Sequence, residues 1–143
     1  DPYFITADFP EESKIIADAR GINNYKPQWC AEKVKNAMLE YELKNHKRPV
    51  VAMMGLAFKP NIDDLRESPA KWIVTMVMQS CNNADILVVE PNVETHNVYK
   101  LTDYKEAYEK ADIVVMLTAH DQFKQLPYNE DKVILDFCGI YKK

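Results

Sequence analysis

"VVAMMGLAFKPNIDDLRESPA", Val50 to Ala70, decides the fold. Its first five residues are apolar without inside/outside alternation, which is how a strand covered on both faces reads. Ser68-Pro69 near its end reads as a helix N-cap followed by proline in the first helical turn. A strand that feeds a helix in this way opens a βαβ unit. Between the two lie Lys59, Asp63, Asp64, Arg66 and Glu67, more charge than a turn of this kind requires.

Three more short runs rich in β-branched residues follow: Ile86 to Val89, Ile113 to Leu117 and Val133 to Leu135. Helical stretches are predicted between them over Pro69 to Cys81 and Tyr104 to Lys110. Strands apolar on both faces and separated by helices predict a parallel sheet covered on both sides. Upstream, Pro10-Glu11-Glu12 opens a helical stretch through Ile15, Ile16 and Ala19, with acids where the helix dipole favours them. A second, longer helix is predicted after Pro27, with Cys30, Val34, Ala37, Met38 and Tyr41 on one side. It ends near the polar run Lys44 to Pro49, the candidate linker. The expected class is therefore α/β: two N-terminal helices, one long, then a small doubly wound, Rossmann-like parallel sheet. The expected division is a helical segment over residues 1–48 and a sheet domain over 49–143.

The 143 residues, 47% of them hydrophobic, suffice for one domain with a real core. A net charge of -4 offers no basic footprint for nucleic acid, and no apolar run approaches the roughly 20 residues that cross a bilayer. Cys30, Cys81 and Cys138 are odd in number and lack any C-x-x-C pair, which suits reduced thiols in a cytoplasm. The start, Asp1-Pro2-Tyr3-Phe4, has neither an initiator methionine nor a basic leader and reads as the beginning of a fragment.

Open parallel sheets bind ligands outside the carboxyl ends of their strands, where Gly55 to Glu67 sits. Lys59 and Arg66 place two permanent cations there beside a helix N-terminus, and a phosphate or pyrophosphate is the natural occupant. The same cations could instead pair with Asp63, Asp64 and Glu67, and the sequence leaves both readings open. Gly21, Gly55 and Gly139 are the only glycines, so no G-x-G-x-x-G loop exists and a dinucleotide must find its main site elsewhere.

"GLAFKPNIDDLRESPA" resembles the signature that opens the C-terminal domain of nucleotide-sugar 6-dehydrogenases. The resemblance extends through "DPYFI", "ADARGINNYKP", "ILVVEPNV", "ADIVVMLTAHDQF" and "VILDFCGIY". Within the family, "DPYFI" and "VVEP" are more similar to the branch acting on UDP-N-acetylmannosamine than to the UDP-glucose branch. The resemblance implies an enzyme that oxidises the sugar's primary alcohol to a carboxylate with two NAD, through an enzyme-bound thioester, for bacterial surface polysaccharide. It implies that NAD sits mainly on an N-terminal domain missing here and that the nucleophilic cysteine lies four residues before Asp1-Pro2. The fragment is then expected to be inactive alone.

Position by position, the resemblance makes Phe58 and Lys59 substrate-binding residues for the UDP-sugar. Arg66 becomes a cofactor contact across the domain or dimer interface, and Asp1 a catalytic acid that orients or activates water. Lys142 stands where relatives carry an arginine, keeping the charge without the bidentate fork. The helix Pro27–Lys44 is implied to form a homodimer, and its apolar side is too large to leave in water. No metal site is expected, because His46, His96 and His120 lack ligand spacing and read as surface or loop residues. The three cysteines read as buried structural thiols. A UDP-glucose enzyme and a stand-alone flavodoxin-like signalling module are the alternatives. The Gly55-Leu56-Ala57 strand end disfavours the latter, since a receiver needs an acidic cluster there.

Overall fold

Val51–Met54 forms β1, and all four of its side chains are buried, as the unbroken apolar run predicts. The computed structural model of the chain describes residues 14–81 and 85–141. Parallel to β1 run β2 (Ile86–Val89), β3 (Ile113–Met116) and β4 (Val133–Asp136), in the order β2-β1-β3-β4. Val51 lies in register with Ile86 and Ile113, and Met54 with Val89 and Met116.

Because side chains alternate across a strand, the sheet feeds two cores. Val51, Met53, Ile113 and Val115 enter one, under α1 (Lys14–Asn45) and α2 (Pro69–Ser80). Ala52, Met54, Val114 and Met116 enter the other, under α3 (Tyr104–Lys110) and α4 (Asp121–Lys124). From β1 the chain steps outward through α2 to β2, then returns through α3 to β3 on the other side of β1. Right-handed crossovers in opposite directions put those helices on opposite faces. The doubly wound expectation holds, and its reversal point falls between the carboxyl ends of β1 and β3.

The helices depart from expectation in three places. Where a second helix is predicted to begin at Pro27, the structure continues one 32-residue helix from Lys14 to Asn45 with Pro27 inside it. A proline in a helix forfeits one backbone hydrogen bond. The burial of Pro27, Cys30, Ala31 and Val34 against the sheet compensates. The predicted start at Pro10 lies outside the described residues. Second, the apolar side of α1 does not face water: Val34 is fully buried, and Ala37, Met38 and Tyr41 pack on the chain's own core. Among the residues of α1 whose side chains are described, the large apolar ones that are exposed are Tyr25, Leu39 and Leu43. Third, α4 is a single turn of four residues, too short for any periodicity to announce. Among the described residues, no helix is long and apolar enough to cross a membrane.

Candidate functional site

The loop from Gly55 to Ser68 crosses the carboxyl end of β1 at the reversal point, and side chains from both flanking strands shape it. Gly55 sits at φ +107°, and a Cβ there would come within 2.7 Å of the Thr118 Cβ. Only glycine tolerates both the left-handed backbone and the close approach. Thr118 also donates from Oγ1 to the Ala57 carbonyl at 3.1 Å.

Glu90, immediately after β2, supplies the central acceptor. Its Oε1 accepts from the amides of Leu56 at 3.0 Å and Ala57 at 2.9 Å and from His120 Nε2 at 2.9 Å. Its Oε2 accepts from the Asn92 amide at 3.0 Å. Burial would push this carboxyl up, but the bonds from His120, Asn92 and Leu56 outweigh it and hold the group below the ordinary glutamate range. His120 Nδ1 accepts from the Asn61 amide at 2.9 Å and lies 3.1 Å from Asn92 Nδ2. A backbone amide can only donate, so Nδ1 is bare and Nε2 carries the proton. His120 is thus a neutral link between a buried carboxylate and the loop tip.

His120 is fully buried, where the sequence predicts a surface or loop residue. Neither it nor Glu90 stands out in the sequence, because they lie 30 positions apart with no motif spacing. The one available signal is that each is a polar residue just beyond an apolar strand, in "VVEP" and "VVMLTAH".

The loop so held displays Phe58, 49% exposed, and Lys59, also exposed. Lys59 makes no ion pair among the described residues. Arg66 does: its Nε and Nη2 donate to the two oxygens of Asp64 at 3.0 and 3.1 Å. Those hydrogen bonds hold the Asp64 carboxyl down at about 2. The two readings left open by the sequence therefore divide, with Arg66 paired and Lys59 unpaired. Asp1 and Lys142 lie outside the described residues.

Beside the loop lies a cleft of about 800 Å³, bounded by Lys26, Pro27 and Cys30 of α1, by Phe58 and Glu67 of the loop, by the first turn of α2 and by Leu117 and Phe137. Ser68 is extended and accepts from the Lys71 amide at 3.4 Å, and Pro69 opens the helix, as predicted. Exposed aromatic faces at Phe58 and Trp72 and the positive end of α2 suit a ligand with a planar part and an anionic part. The β1–α2 turn does not fit a dinucleotide: the space beside Gly55 is filled by Thr118, and no second glycine brings the backbone close. Cys138 is pushed up to about 12 by burial and by Asp136, and burial also raises Cys30 and Cys81, so these are poor nucleophiles. No group of three or more metal-ligating side chains occurs among the described residues.

Residues 52–143 match the model of the UDP-glucose/GDP-mannose dehydrogenase family, UDP binding domain. The chain is 40% identical to the UDP-N-acetyl-D-mannosamine dehydrogenase of Escherichia coli, over 99% of its own length and 36% of that protein's. It is also 40% identical to the NDP-N-acetyl-D-galactosaminuronic acid dehydrogenase of Ralstonia nicotianae, over 99% of this chain and 33% of that one. The UDP-D-ManNAc dehydrogenase of Pyrococcus horikoshii superposes with a TM-score of 0.80 at 28% identity, over 99% of this chain and 34% of that one. The chain thus spans about a third of the length of the relatives it matches. With its doubly wound sheet and a ligand-sized cleft at the reversal point, the chain belongs to the UDP-glucose/GDP-mannose dehydrogenase family and carries that family's UDP binding domain.

Proposed function

We propose that the chain supplies the UDP-binding part of an NAD-dependent UDP-sugar 6-dehydrogenase that converts UDP-N-acetylmannosamine to the uronate for bacterial surface polysaccharide. The observation that carries this is the loop clamped at the β1/β3 reversal point, which sets Phe58 in the wall of the cleft and leaves its neighbour Lys59 exposed and without an ion pair among the described residues. Both curated relatives compared above are named for N-acetylated sugars, which supports that substrate class over UDP-glucose. Family membership also displaces the signalling-module alternative.

In this assignment residues 49–143 bind the sugar nucleotide, and residues 1–48 join it to the rest of a cytoplasmic homodimer through Pro27–Lys44. Lys59 meets an anionic group of the UDP-sugar as a point charge, and Phe58 packs against the nucleotide sugar. Arg66 leaves its exposed pair with Asp64 to reach the cofactor, an exchange that costs little because solvent screens exposed ion pairs. Asp1 orients water at the reacting carbon. NAD accepts the hydrides when bound, in the part of the relatives that this chain does not span.

Calorimetric UDP titration beside thermal melting tests the site. Lys59→Ala removes a charge-assisted contact, and UDP affinity falls by roughly tenfold or more, about 1.5–3 kcal/mol. The melting temperature stays put because Lys59 is exposed and unpaired. A clear drop in melting temperature with intact UDP affinity would make the lysine structural and defeat the assignment.

A further inference from the structure

Only Phe58, Lys59 and Pro60 lie between two grips on the loop backbone. On one flank the amides of Leu56 and Ala57 donate to Glu90 Oε1 at 3.0 and 2.9 Å. On the other, the amide of Asn61 donates to His120 Nδ1 at 2.9 Å. The grips form one unit, because His120 Nε2 donates to the same Glu90 oxygen at 2.9 Å. Both side chains are wholly shielded from water. Burying a carboxylate and an imidazole is costly, and a connection between a strand and a helix does not require it.

The loop tip is fixed further. Asn61 sits at φ 62°, in the left-handed region that asparagine adopts more readily than most residues. Its Oδ1 accepts from the Asp121 amide at 2.9 Å, and Asn92 Nδ2 donates to the Ile62 carbonyl at 3.1 Å. Four polar side chains, Glu90, His120, Asn61 and Asn92, therefore hold the backbone on either side of residues 58–60, and the Phe58 amide donates to the Asp64 carbonyl at 2.9 Å.

We propose that His120 is a positioning residue for nucleotide binding: through Glu90 and the Asn61 amide it fixes the 58–60 turn in its binding geometry before UDP arrives. This rests on the assignment of Lys59 to the UDP-sugar made above. A turn ordered in advance avoids the loss of freedom that binding would otherwise impose.

The test is a mutant cycle read by UDP calorimetry on the chain. In His120→Gln the side-chain amide can still donate to Glu90 but offers Asn61 no acceptor. In His120→Asn the carbonyl replaces Nδ1 and keeps that acceptor. His120→Gln is expected to weaken UDP about tenfold, with His120→Asn recovering most of the loss. Added to Lys59→Ala, His120→Gln should cause no further loss, since both act on one contact. Full additivity, or unchanged affinity in folded His120→Gln, would overturn the proposal while leaving Lys59 in place. If Lys59→Ala alone leaves UDP affinity intact, the underlying assignment fails and the proposal with it. Amide exchange on the unmutated chain covers the case in which the variants do not fold. The Ala57 and Asn61 amides should be protected equally with and without UDP. Protection that appears only with UDP would show that the turn is not set in advance.

Discussion

At the scale of single residues, Glu90 concentrates most of the chemistry. One buried carboxylate satisfies three backbone amides and an imidazole, so replacing either oxygen leaves a donor facing a donor. Glu90→Gln is expected to cost about 1–3 kcal/mol near neutral pH. The sign of its pH dependence follows from the depressed acidity of the folded state. A carboxyl lowered on folding adds stability above its unfolded value, near 4.5, and loses it as pH falls through the folded value. Urea unfolding at neutral pH and at about pH 3.5 should therefore show a shallower acid loss for Glu90→Gln than for the unmutated chain. Equal losses would mean that Glu90 is not held as an anion.

At the scale of elements, α1 divides its apolar residues between two environments. Val34 is fully buried under the sheet, whereas Leu39 and Leu43, one turn apart, are 60% and 78% exposed. Val34→Ala should cost about 2 kcal/mol of folding stability, and Leu43→Ala less than about 0.5 kcal/mol. If α1 pairs two copies of the chain, as proposed, the exposed leucines contribute and the buried valine does not. Light scattering should then show an unmutated dimer that weakens in a Leu39→Ala, Leu43→Ala double variant. A monomer at all concentrations, or a dimer indifferent to those leucines, would remove α1 as the interface.

At the scale of the whole molecule, the sheet has one reversal point, and its loop is shaped for something other than a dinucleotide. The turn after β1 holds a single glycine, packed against Thr118, and lacks the G-x-G-x-x-G run by which such sheets hold a dinucleotide. The chain spans about a third of the length of its relatives, and the proposed function assigns NAD to the part it does not span. A polypeptide of these 143 residues is expected to bind UDP yet to produce no NADH from NAD and UDP-N-acetylmannosamine in a coupled absorbance assay. Steady NADH production would refute this division of labour.

What the sequence by itself determined is what neighbouring residues enforce on one another. The apolar run before Gly55 specifies a strand buried on both faces, and Ser68-Pro69 specifies where α2 begins. The alternation of strands and helices specifies a parallel doubly wound sheet, and hence the end at which sheets of this kind bind ligands. Tertiary structure alone decided the rest. Pro27 looks like a helix start until packing carries α1 through it. The apolar side of α1 looks like an interface until the sheet covers it. Glu90 and His120 meet because β2 and β3 flank β1, so that their ends lie two strand spacings, roughly 10 Å, apart with the β1 loop between them. Local pattern carries no record of which strands become neighbours. A polar residue beyond one strand therefore cannot be matched by pattern to its partner beyond another until the sheet has assembled.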